Sequence, residues 1–82
     1  MQKHVPLKDL DFLLADLCRD LGFCNRLAAE ELLPAGMMLN AADFAHAVVR
    51  AEGMSPDHEA KWMQQIQDRF EARFGSSISR SD

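Results

Sequence analysis

Residues 39–62 read LNAADFAHAVVRAEGMSPDHEAKW, and they contain one complete helix, its two boundaries and the start of the next patterned segment. Asn40 can accept a hydrogen bond from the backbone of the first turn, Asp43 three residues on can reach back, and Leu39 and Phe44 have the spacing of a hydrophobic staple. These signals start a helix at Ala41. Its face of Ala41, Phe44, Ala45, Val48, Val49 and Ala51 is mostly small, which lets neighbouring backbones approach, while Asp43, His46 and Arg50 point outward. Gly53 stops it, with Met54 placed to fold back on Val49. Ser55 then reads as an N-cap and Pro56 as the first helical residue of the next helix, with Asp57 near the positive end of its dipole. Asp57 also precedes Lys61 by one turn. The cluster Glu52, Asp57, His58 and Glu59 is accordingly spent on turning the backbone.

Outward from this joint the same logic places the other elements. Towards the N-terminus, Leu7, Leu10, Leu13, Leu14, Leu17, Cys18 and Leu21 gather on one side of a helical wheel, opposite Lys8, Asp9, Asp16, Arg19 and Asp20. Pro6 suits the entrance to that helix and Gly22 its left-handed end. Asn25 can cap a short helix through RLAAEELL, closed by Pro34 and Gly36. PAGMML, residues 34–39, reads as an apolar connector whose methionines tuck under the neighbouring helices, since Met fills irregular gaps. Towards the C-terminus, Trp62, Met63, Ile66, Phe70 and Phe74 form the stripe of the last helix, which Gly75 ends.

The expected fold is therefore all-α: a small compact bundle of four helices over residues 7–21, 26–33, 41–52 and 56–74, with short joints. No segment outside them shows the sustained alternation of a strand. Residues 1–75 read as a single helical domain and 76–82, the polar SSISRSD, as a frayed tail.

Composition narrows function more than it identifies it. The chain has 82 residues, 48% hydrophobic and 27% charged, which is the profile of a chain that folds around one core. A formal net charge of −4 gives no general attraction to a polyanion or an anionic membrane. No apolar run is long enough to span a bilayer, and the charged N-terminus lacks a signal-peptide core, so the expected compartment is the cytoplasm. There Cys18 and Cys24 are expected to be free thiols, although spacing alone leaves one bridge open.

Chemical motifs are absent. The joint GMS is too short for a calcium loop. Cys18, Cys24, His4, His46 and His58 are scattered relative to zinc-ligand spacing, so no metal or cofactor is expected. Asp11, Asp16, Glu30 and Glu31 are ordinary acids of surface helices, there is no nucleophile motif or phosphate loop, and the chain is not expected to be an enzyme. A helix-turn-helix DNA reader is the alternative class, with Arg19, Arg26, Arg69 and Arg73 as its cations, but Asp57 and Glu59 would face the phosphates.

What remains is a surface for another protein or a second copy. Phe12 falls on the polar side of its helix, where nothing in the helix itself calls for an aromatic. Leu27, Met37 and Met38 add apolar area, and Arg69 and Arg73, one turn apart, can dock an acidic partner. The expected function is a non-enzymatic protein–protein interaction module using these six residues.

Overall fold

The computed structural model describes residues 3–24 and 27–81. In chain order the elements are β1 (Lys3–Val5), α1 (Leu7–Leu21), α2 (Ala29–Leu32), β2 (Met38–Asn40), α3 (Ala41–Ala51), α4 (Ala60–Phe74) and β3 (Ser77–Arg80). The helices expected around residues 7–21 and 41–52 stand almost where the sequence placed them. The all-α expectation is overturned, because three short strands form one mixed sheet in the order β1-β3-β2.

The sheet joins the two ends of the chain. β3 runs parallel to β1, with Lys3 opposite Ile78 and Val5 opposite Arg80, and antiparallel to β2, with Leu39 opposite Ile78. Within the expected frayed tail, Ser77–Arg80 is instead the central strand of the sheet, and Ile78 has no exposed surface. Each strand makes local sense once its partners are present. Val5 precedes Pro6, a position biased towards extended backbone. Asn40 has the extended geometry of an N-cap (φ −103°, ψ 167°), so β2 runs straight into α3. Gly75 adopts φ 88°, ψ −159°, a region open in practice only to glycine, and it turns the end of α4 into β3.

The helix boundaries divide into those that local chemistry sets and those it leaves ambiguous. At α3 the Asn40 side chain accepts from Asp43 N–H at 2.8 Å, and its amide donates to the Asp43 carboxylate at 3.2 Å. That second bond replaces the expected reach of Asp43 back to the Asn40 backbone. At the other end Gly53 N–H donates to the Arg50 carbonyl (3.0 Å) and Met54 N–H to that of Val49 (3.2 Å), the paired bonds of a Schellman ending. The last helix, however, begins at Ala60 and not at Pro56. Ser55, Pro56, Asp57 and His58 form a turn, closed by His58 N–H to the Ser55 carbonyl at 3.0 Å. Serine followed by proline suits both a helix start and the first two positions of a β-turn, and here the turn wins. The helix expected over 26–33 shrinks to Ala29–Leu32, and the proposed cap Asn25 lies outside the described residues.

The core lies between the helices and one face of the sheet. Leu10, Leu13 and Leu17 of α1, Phe44, Val48 and Val49 of α3, and Ile66 and Phe70 of α4 are buried there with Val5, Leu39 and Ile78. Phe70 is central, with ring centroids 5.2 Å from both Phe44 and Phe74. Trp62 and Met63, expected in the same stripe, are half-buried against the core edge. Burying a side chain such as Phe70 contributes about 1.5–3 kcal/mol.

If β3 holds the fold together, Ile78→Ala will lower the unfolding free energy in urea by about 2–5 kcal/mol, against less than about 0.5 for a side chain in a frayed tail. Gly75→Ala should cost about 1–3 kcal/mol in the same assay through its backbone geometry, because open space surrounds the position.

Candidate functional site

A hollow of about 310 Å³ opens where β1, the first turns of α1 and the end of α4 meet. It is lined by Lys3, Val5, Asp9, Phe12, Arg73 and Phe74. Val5 and Phe74 belong to the buried core and give the hollow apolar walls, whereas Phe12 is 58% exposed. Neither the N-terminal strand nor another helix covers that ring. Its place opposite the leucine stripe of α1 leaves it outside, as the helical wheel requires.

The polar groups around the hollow are held by a ladder of ion pairs between α1 and α4. Arg73 Nη2 donates to Asp16 at 2.9 Å and Arg69 Nη1 to Asp20 at 2.8 Å, one helical turn apart on both helices, so α1 and α4 run antiparallel along this seam. Arg19 Nη2 adds a contact to Asp16 at 2.8 Å. Arg73 Nη1 also donates to the Asp9 carbonyl, and Lys3 Nζ to the Arg73 carbonyl at the end of α4, both at 3.5 Å. These two longer contacts are weak, but the second places a cation at the negative end of a helix dipole. The hydrogen bond from Arg69 holds the Asp20 carboxyl below its ordinary value of 3.8; partial desolvation opposes this, and Arg19 reinforces it.

Of the residues that the sequence marked for partner binding, the structure brings Phe12 and Arg73 to one site. Arg69 sits one turn away, engaged with Asp20. Leu27 is half-buried and packs against the core. Met37 and Met38 are 56% and 60% exposed, which corrects the expectation that the connector's methionines tuck inward. The reason is strand alternation: Leu39 takes the core-facing position of β2 and leaves Met38 on the opposite face. There Met38 shares a cross-strand row with Ser79 and His4. Sequence reasoning missed Lys3, Val5 and Asp9 as site residues. Only the Val5–Pro6 step hinted at an extended arm, and nothing local named its partner strand.

The Ser79 hydroxyl lies 2.6 Å from His4 Nδ1. A nucleophile and base need a third orienting group and donors for developing charge in a concave site. Among the described residues no carboxylate bonds to His4, and the pair lies on the solvent face of the sheet.

The cations that a DNA reader would use are otherwise engaged. Arg19, Arg69 and Arg73 pair with Asp16 and Asp20, while Arg26 lies outside the described residues. With four residues, α2 is only about 6 Å long, too short to lie along a major groove. Among the described residues no helix is long and apolar enough to cross a membrane. The expected free thiols are also corrected, since Cys18 and Cys24 form a disulfide.

No family model, curated protein or solved structure matches this chain.

Arg69→Gln should move Asp20 back up towards 3.8 in a carboxyl-carbon NMR titration. Because the folded pKa of Asp20 lies below its unfolded value, the pair stabilises the fold above that unfolded value and loses its effect as pH falls through the folded one. Urea midpoints of wild type and Arg69→Gln should therefore differ slightly at neutral pH and converge in acid.

Proposed function

We propose that this chain is a non-enzymatic protein–protein interaction module whose docking site is the hollow between β1, α1 and α4. The supporting observation is Phe12, a large aromatic held 58% exposed on a regular helix, beside apolar walls formed by Val5 and Phe74. An exposed ring beside a preformed recess is the anatomy of an interface anchor, because covering the ring removes apolar surface from water.

Charge indicates the kind of partner. The chain carries a formal −4, yet the hollow is lined by Lys3 and by Arg73, whose guanidinium already pairs with Asp16, against one carboxylate, Asp9. A segment that presents an apolar side chain next to an acidic group matches both features, and the acidic remainder of the surface repels a partner that is acidic throughout. Met37 and Met38 offer a second adaptable apolar contact at the edge strand β2. Either another protein or a second copy of this chain can supply the docking segment.

A photo-crosslinking amino acid at position 12, introduced in the native cell, should yield a discrete protein adduct that Lys3→Glu suppresses and that the same probe at His46, on the outer face of α3, does not give. Absence of any adduct specific to position 12 rejects the reading. With the captured partner in hand, Phe12→Ala should weaken binding by about five- to thirtyfold, as loss of an anchor worth roughly 1–2 kcal/mol requires. The same change should leave urea stability within about 0.5 kcal/mol.

A further inference from the structure

We infer that the Cys18–Cys24 disulfide is a thiol-exchange site whose redox state sets the packing of Phe23 on Trp62, independently of the hollow. The bridge spans a sequence separation of six residues, with the two Cα atoms 4.3 Å apart. It joins the last turn of α1 to the residue directly after Phe23. Inside the ring it closes, Gly22 adopts φ 79°, its N–H donates to the Cys18 carbonyl at 3.1 Å, and Phe23 N–H donates to that of Leu17 at 3.3 Å. Phe23 is thereby turned into the core, where its ring meets Trp62 of α4 edge-to-face, with centroids 5.0 Å apart and planes at 87°.

Accessibility and position make this bridge suited to exchange. Cys24 is exposed and Cys18 half-buried, so a thiolate from solvent reaches the Cys24 sulfur first. The co-reactant is a low-molecular-weight thiol or dithiol. Its thiolate bonds to Cys24 Sγ, the Sγ–Sγ bond breaks, and the electron pair leaves on Cys18 Sγ, which takes up a proton. A second thiolate then attacks the outer sulfur of the mixed disulfide and releases Cys24, which is protonated in turn. The bridge gains two electrons and two protons, and the reductant is oxidised to its disulfide.

The consequence is local. A short ring removes less entropy from the unfolded chain than a long one does, so the bridge adds to a fold whose core contacts lie elsewhere. The buried contacts of Leu10, Leu13, Leu17, Phe44 and Phe70 do not pass through it. What it does restrain is the stretch 22–24, which after reduction keeps only its backbone bonds and the burial of one ring. Phe23 then leaves Trp62 for a larger share of the time, uncovering a patch at the junction of α1 and α4.

The chain reports on this by itself, because Trp62 is its single tryptophan and it has no tyrosine. Dithiothreitol added to the oxidised protein without denaturant should free both cysteines to a thiol reagent, shift the Trp62 emission maximum to longer wavelength and raise its quenching by acrylamide, while far-UV circular dichroism is retained. Phe23→Leu should show the longer-wavelength emission with the bridge intact. Cys24→Ser should show it without responding to dithiothreitol. Three results overturn the inference: thiols that appear with no change at Trp62, a bridge that opens only in denaturant, or reduction that abolishes helicity. Failure of Cys24→Ser to fold leaves the wild-type titration to decide between these outcomes.

Discussion

The pairing of β3 with both β1 and β2 is the constraint on which the remaining geometry depends. Each outer strand has only three residues, and neither would persist as a lone ribbon in water. With Ser77–Arg80 between them, backbone donors and acceptors from both ends of the chain are satisfied together. Ile78 meanwhile is fully buried in the core. The ladder extends at its margins through Ala41 N–H to the Ser76 carbonyl and Ser81 N–H to the Val5 carbonyl. Because β1 is fixed to β3, and β3 follows α4 through Gly75, the N-terminal strand is carried to the side of α4. The recess between Phe12, Val5 and Phe74 exists for that reason.

Electrostatics at this seam organise the surface more than they stabilise it. Arg69 and Arg73 face Asp20 and Asp16 at matching helical spacing, so the pairs set the register of α1 against α4. Exposed pairs of this kind contribute little to stability, and salt screens them. Their larger effect is directional, since they hold the Arg73 stem along the hollow and leave Lys3 beside it on an otherwise acidic protein.

The cysteines show how context changes the meaning of a residue pair. On a helical wheel Cys18 is one more small apolar residue of the leucine face, and a separation of six residues says nothing about where Cys24 points. The left-handed turn at Gly22 reverses the chain and brings the two sulfurs together. The same turn places Phe23 against Trp62, so one glycine couples a covalent link to an aromatic contact.

Much of the helical architecture was legible because helices announce themselves locally. The leucine stripe of α1, the Asn40 cap and the paired bonds after Val49 all involve residues within a few positions of one another, and there the sequence reading and the structure coincide. It failed where the same residues suit two local structures, as at Ser55–Pro56, or where an element is too short to display its period. Strands of three or four residues bury one side chain each, so Val5, Leu39 and Ile78 give no alternation to detect. The sequence by itself determined where the amphipathic helices lie and that Phe12 has no place on the buried face of α1. Tertiary structure alone decided the sheet, the disulfide and the hollow. Strand pairing joins backbone groups some 75 positions apart, His4 opposite Ser79, and no pattern within either segment records which distant segment will satisfy it.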